Sequence, residues 1–408
     1  MAMNRRLFLK SGVFGTMIGS ANSELLSALP GKDNGKSVIL IHMQGGISAV
    51  DFINPLPEGL SQYRSGRGYA TTKSGFHIGA DFTELAKLSD DFSVVRGLRG
   101  FDANHASATI NWMTGHKAIP NNPQKEPSFG SIYIQQHGTV TKGGVPHYVK
   151  LRKVEGDDAA WMGIRYAGVD VDDDMVKSMK LGIPDDRFRR RLSILNRMDA
   201  KNKTSHLEKG WSEVKEQAAG IINGSASEAF KIEDEDETTK SRYGTSRFGK
   251  DLLLARRLIE NGSKFISLNS NAGWDNHSGV DAAFERNAPG FDIPLSVLIK
   301  DLKQRGMLGD VMILTVSEFS RTKLNLNAGR DHFPRTNSSM IIGGGYDHGR
   351  VIGATDKTGL DVVSGNYQPR DLAWTILDHL GVDKKRKVTD PAGRPRHLIE
   401  DDARNILL

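Results

Sequence analysis

The stretch Ser37 to Met43 is almost wholly apolar and stops at Gln44-Gly45-Gly46, as a strand buried on both faces of a parallel sheet does. Phe92 to Val95 predicts a second strand. A polar loop follows, then a helix from about Asn104 to Thr114 with Gly115 as its stop. Pro127-Ser128 opens another helix that ends near Gly138. Phe248 to Asn261 carries apolar residues at helical spacing and ends at Gly262. Beyond it the pattern predicts a strand over Lys264 to Leu268 and a helix from Pro294 to Arg305. Strands over Val311 to Val316 and Ser339 to Ile342 follow, and a closing helix over Arg370 to Leu380. Strand-helix alternation over this length predicts an α/β fold, a mostly parallel central sheet with helices on both faces.

Two regions break the alternation. From about 157 to 242 the chain carries an arginine-rich helical stretch around Arg187 to Arg191 and an acidic run, Glu233 to Glu237. This reads as a helical insertion with a solvated loop. The other is the start. Arg5-Arg6-Leu7-Phe8-Leu9-Lys10 precedes a short, glycine-rich, weakly apolar stretch and the small-residue pattern Ala21-Asn22-Ser23. That is the form of a twin-arginine export signal, and it is too short and glycine-rich to span a membrane. The expected division is a signal over 1–23, an α/β domain over 36–385 with the insertion at about 157–242, and a tail over 386–408. The translocase is then a partner during export, and the site of action is periplasmic or extracellular. No lipobox cysteine follows the signal, so no stable membrane anchor is expected.

Composition narrows the chemistry. Among 408 residues there is no cysteine, so any metal must rest on His, Asp and Glu, and disulfides and thiol nucleophiles are excluded. The net charge of +6 is modest, and the basic residues form no stripe interleaved with aromatics; nucleic acid is not an expected partner.

In α/β sheets, polar residues just past the carboxyl ends of strands line the site. Four clusters lie in such places: Gly45-Gly46 through Asp51; Asn104-His105-Ala106-Ser107; Trp274-Asp275-Asn276-His277; and Ser317-Glu318-Phe319-Ser320-Arg321, with Arg330-Asp331-His332 close behind. Carboxylates and imidazoles without thiolates suit zinc, manganese, calcium or magnesium, and Arg321, Arg330 and Arg335 are candidates to clamp a tetrahedral anion. Each residue also has a plainer reading. Asp275 and His277 can pin a surface loop, Glu318 and Arg321 can form a structural ion pair, His105 can sit at a helix start, and Asp51 can belong to a turn.

Taken together, these segments resemble the bacterial family called domain of unknown function 1501, placed in the alkaline-phosphatase-like superfamily. The resemblance runs from Gly45-Gly46 through His105 to Gly115-His116 and Pro127 to Ser131, then Arg242-Tyr243-Gly244, Trp274 to His277, Glu318 to Thr322, Gly329 to His332, Gly343-Gly344-Gly345 and Gly393-Arg394-Pro395. It implies an alkaline-phosphatase-like fold with metal at the carboxyl edge of the sheet and a nucleophile position, at a helix start, that falls on His105. A formylglycine sulfatase would carry cysteine or serine there, followed by Pro and Arg, and that motif is missing. The nearest carboxylate after the first strand is Asp51, where the superfamily's aspartate normally follows the strand directly. The expectation is an exported, metal-dependent hydrolase of phosphate or sulfate esters acting on a small molecule or glycan. Asp275, His277, Glu318, Asp331 and His332, with Asp51 as a further candidate, would hold the metal, zinc foremost. His105, Arg321 and Arg330 would serve catalysis. The alternative is a non-catalytic periplasmic or surface protein that binds anionic glycans on the same scaffold.

Overall fold

The chain is described by a computed structural model covering residues 33–119, 126–172, 226–270 and 273–408, with scattered positions between 187 and 197. The export signal expected over 1–23 lies outside these residues, as does most of 173–225.

Among the described residues, eight strands build the central sheet. They are β1 (Ser37–His42), β2 (Phe92–Leu98), β3 (Tyr148–Leu151), β4 (Val169–Val171), β5 (Phe265–Asn269) and β6 (Val311–Val316), then β9 (Asn337–Gly343) and β10 (Val351–Ile352). Between β6 and β9 the chain makes a separate antiparallel hairpin, β7 (Ser320–Leu324) and β8 (Arg330–Phe333). The spatial order is β10-β2-β9-β6-β1-β5-β3-β4. Every pairing is parallel except those of β9, which runs against both of its neighbours. The mostly parallel sheet expected from the alternation is therefore present.

The helices that matter for the site are α1 (Ala49–Phe52), α2 (His105–Thr114), α3 (Phe129–His137), α4 (Arg247–Glu260), α5 (Val280–Gln304) and α6 (Pro369–His379). Strand β1 is buried throughout, and its side chains alternate between two cores. Val38 and Leu40 join Trp112 of α2, Ile132 of α3 and Ile376 of α6. Ile39 and Ile41 join Leu252 of α4 and Phe291 and Leu298 of α5. One apolar run thus supplies both faces, and helices cover each.

Helix α5 starts at Val280, well before the expected Pro294, and carries Pro289 and Pro294 inside it. An internal proline costs about 3 kcal/mol. Against this, α5 buries Val280, Ala283, Phe284, Ala288, Phe291, Leu295, Leu298 and Leu302 on one stripe, and each large apolar side chain contributes roughly 1.5–3 kcal/mol. Packing outweighs the local breaker. Inside the region read as an insertion, β4 pairs with β3 at the sheet edge. The final segment adds Val388, Leu398, Ile399 and Ile406 to the second core. Among the described residues no helix is long and apolar enough to cross a membrane.

Candidate metal centre

The carboxyl ends of β1, β2, β5 and β6 lead into Gly45-Gly46, His105, Asp275-His277 and Glu318 respectively, so the parallel strands deliver all of them to one edge. Hairpin β7–β8 then folds back and sets His332 opposite Arg321 in its register.

Two histidines define the centre. His332 Nδ1 lies 2.8 Å from the Ala103 carbonyl oxygen, which only accepts, so this nitrogen donates. His277 Nδ1 lies 2.9 Å from Asp331 Oδ1 and donates to it. That contact also holds the Asp331 carboxyl below its usual range. In a neutral ring whose Nδ1 donates, Nε2 carries a bare lone pair. The two Nε2 atoms face each other at 3.1 Å, and Asp275 Oδ1 lies 3.1 Å from the first and 3.3 Å from the second. With both rings in that form, two lone pairs and a carboxylate oxygen converge on one point, an arrangement that a cation among them would stabilise. Ligand atoms on a tetrahedral ion with bonds of about 2.0–2.1 Å stand roughly 3.3 Å apart. The donor set and its spacing therefore fit a divalent ion, and the outward Nδ1 contacts are the kind that orient metal-binding imidazoles.

His105 stands beside this trio. It is the first residue of α2, whose start is capped by the Asn104 side chain accepting from the Ser107 amide. His105 Nε2 is 3.4 Å from Asp275 Oδ2 and Nδ1 is 3.4 Å from Glu318 Oε1. The Glu318 contact, helped by Asp275, raises its pKa. His105, Asp275 and His332 each offer a ligand atom, all within 4.8 Å of one another.

Glu318, expected as a ligand, meets backbone amides beside the cluster. It is buried, and its two oxygens accept from the Gly45 amide at 2.8 Å and the Gly46 amide at 2.5 Å. Burial opposes its charge, but His42, His105 and the Gly45 amide prevail and hold the carboxyl at about 2. His42 itself is buried, 3.6 Å from Glu318 Oε1, and burial lowers its pKa. The same glycine pair is gripped from its other side by Arg321. Its Nε donates to Gly46 O at 2.6 Å, its Nη2 donates to Gly45 O and, at 2.6 Å, to Asp275 Oδ1, and its Nη1 donates to Arg330 O. Asp275 stays ionised because Arg321 offsets the cost of its partial burial. Both glycines need positive φ, +105° at Gly45 and +66° at Gly46.

Asp51 and Arg330 are brought to each other and not to the cluster. Both are buried, with Arg330 Nε donating to Asp51 Oδ2 at 2.8 Å and the remaining guanidinium nitrogens to Thr322 O and Arg64 O. The nearby hydroxyls are engaged as well, Ser107 with Asp102 at 2.5 Å and Thr109 with His105 O at 2.7 Å. Sequence reasoning missed His42, although it is the one imidazole in the apolar run of β1. It also missed the backbone groups that do the positioning, the Gly45 and Gly46 amides and the Ala103 carbonyl, which leave no mark in side-chain patterns.

A family model described as "Protein of unknown function (DUF1501)" matches residues 35–407. No curated protein matches the chain. Among solved structures, the chain is similar to the lipoteichoic acid synthase LtaP from Listeria monocytogenes, with 10% identity, a TM-score of 0.43 and coverage of 95% of this chain and 79% of that one. The phosphonate monoester hydrolase SpPMH from Silicibacter pomeroyi matches with 12% identity, a TM-score of 0.41 and coverage of 85% and 74%. Alkaline phosphatase from the Antarctic bacterium TAB5 matches with 13% identity, a TM-score of 0.40 and coverage of 85% and 99%.

Proposed function

This chain belongs to the DUF1501 family of proteins of unknown function, and from that premise we propose that it is a metal-dependent hydrolase of phosphate or sulfate esters, exported by the twin-arginine route. The observation that carries the reading is the pair of facing Nε2 atoms of His277 and His332, 3.1 Å apart beside Asp275 Oδ1.

Asp275, His277 and His332 would hold the ion, zinc foremost and manganese next, because nitrogen donors disfavour calcium and magnesium. A bound divalent ion would supply Lewis-acid polarisation of the ester and a lowered pKa for water. The protein's own groups do the rest. Asp331 and the Ala103 carbonyl keep both imidazoles turned inward. His105, its proton favoured by Glu318 and Asp275, would pass that proton to the departing alcohol oxygen as its bond to phosphorus or sulfur breaks and the oxygen of water takes its place, and would take back the proton that the water gives up. Arg321 acts through the Gly45-Gly46 turn and Asp275, as a positioning residue.

The test is elemental analysis of the purified protein beside His332→Ala and Asp275→Ala, with p-nitrophenyl esters assayed in parallel. Near-stoichiometric metal and ester turnover in the parent, both lost in the variants, support the reading. No metal retained after adding zinc or manganese sinks it. One observation favours a second reading, a non-catalytic binder of anionic glycans: the Ser107 and Thr109 hydroxyls are both engaged, which leaves no free hydroxyl nucleophile in the first turns of α2. Such a binder would keep metal and ligand affinity and turn nothing over.

A further inference from the structure

His42 closes β1 at the site edge, and the proposed chemistry leaves it unused. It is buried, and its register partners, Asn269 in β5 and Val316 in β6, set it within the sheet. Its surroundings in the backbone are fixed. The Ser270 amide donates to His42 O at 2.8 Å, and the Met43 amide donates to Val316 O at 2.7 Å. The ring Nε2 lies 3.4 Å from Thr109 Oγ1 in α2. The Thr109 hydroxyl spends its proton on the His105 carbonyl oxygen at 2.7 Å, which only accepts. Toward the ring the hydroxyl oxygen is therefore the acceptor, and Nε2 is the donor. The other tautomer is worse at both nitrogens. Its Nδ1 proton would be buried without an acceptor, since Nδ1 has no partner among the described residues, and its bare Nε2 would face the Glu318 carboxylate.

That N–H stands between two holds on His105. One is the Thr109 hydroxyl, which fixes the His105 carbonyl and with it the first turn of α2. The other is Glu318 Oε1, 3.4 Å from His105 Nδ1 and 3.6 Å from His42 Nε2. A separation of 3.6 Å is too long for a hydrogen bond. The bond goes to Thr109, and toward Glu318 the ring presents the positive end of its N–H dipole. Thr109 belongs to α2 and Glu318 follows β6, yet both meet one ring carried by buried β1. The strand thereby sets where the His105 imidazole stands.

We propose that His42 is a positioning residue for His105: its Nε2–H holds the Thr109 hydroxyl and faces Glu318, fixing the start of α2 and the direction of the His105 ring. This rests on the hydrolase reading above, in which His105 moves the proton, and adds a residue to it.

Three variants of the full chain test it, each checked for fold by circular dichroism. His42→Phe keeps a ring and removes the N–H, His42→Gln returns an N–H near the Nε2 position, and Thr109→Val removes the hydroxyl. With p-nitrophenyl esters, His42→Phe and Thr109→Val are expected to lower kcat about 10–100-fold, the scale set by small misplacements of reacting groups. KM and the zinc count are expected to stay as in the parent, and His42→Gln to recover most of kcat. An unchanged kcat in His42→Phe or Thr109→Val overturns the proposal. So does a folded His42→Gln no better than His42→Phe. If His42→Phe does not fold, Thr109→Val decides. The proton–nitrogen ring resonances of His105, identified by their loss in His105→Ala, give a readout free of turnover. They are expected to shift in His42→Phe and to return in His42→Gln; unshifted resonances overturn the proposal. A parent that turns over no ester removes the hydrolase reading, while the resonances still decide whether His42 positions the ring.

Discussion

Glu318 and Arg321 hold the same two glycines from opposite sides. The Gly45 and Gly46 amides donate to the carboxylate, and their carbonyls accept from the guanidinium. Arg321 then reaches on to Asp275 and Glu318 lies against His105. One short turn thereby ties the Asp275 carboxylate to the His105 imidazole beside it, and small displacements of the turn move both.

The glycines should tolerate no side chain. At Gly45 a Cβ would stand 2.6 Å from the Asp275 backbone nitrogen, and φ is +105°. Backbone cannot rotate away as a flexible side chain can. Gly45→Ala is expected to lower stability by about 1–3 kcal/mol from the strained conformation alone, and to weaken zinc binding because Asp275 must shift. Chemical denaturation and zinc calorimetry on the variant check both, and an unchanged zinc affinity contradicts the coupling.

Glu318 makes stability depend on pH. Its carboxyl is held at about 2 against an ordinary 4.5. A depressed folded-state pKa stabilises the fold above the unfolded value, and that stability is lost as pH falls through the folded one. The contribution is on the order of 3 kcal/mol, present above about pH 4.5 and gone near pH 2. Urea unfolding of the parent should weaken across this window. Glu318→Gln should be less stable at pH 7 and flatter below pH 5; a parallel pair of curves would remove Glu318 as the cause.

Asp331 touches His277 and not the converging point of the other donors. Asp331→Asn should therefore keep the ion with an affinity about 10–100-fold weaker, the usual cost of losing a partner that orients a ligand imidazole. Competition with a chelator of known affinity measures it. Complete loss of metal would make Asp331 a ligand in its own right.

The Asp51–Arg330 pair is structural. Asp51→Ala leaves a buried guanidinium without its counter-charge, and the expected loss is about 3–5 kcal/mol. Zinc stoichiometry should not change. If the ion is lost from a variant that still folds, Asp51 belongs to the metal site after all.

The sequence by itself determined the elements and the edge. Unbroken apolar runs at β1 and β6, the Asn104 and Gly115 boundaries of α2, and polar clusters just past strand ends are local signals, and the structure contains each of them. They sufficed to name His105, Asp275, His277 and His332 as neighbours. What each polar residue does was decided only in three dimensions. Glu318 and Asp51 carry the same carboxylate chemistry as Asp275, yet one sits on two backbone amides and another on a buried guanidinium. Arg321 and Arg330, which the chain presents as anion clamps, face inward to carbonyls. Helix α5 runs through two prolines because its apolar stripe packs on the sheet. In each case the deciding partner is a backbone group or a residue far away in sequence. Residue type limits which bonds a side chain can make, and only the fold selects which of them are satisfied.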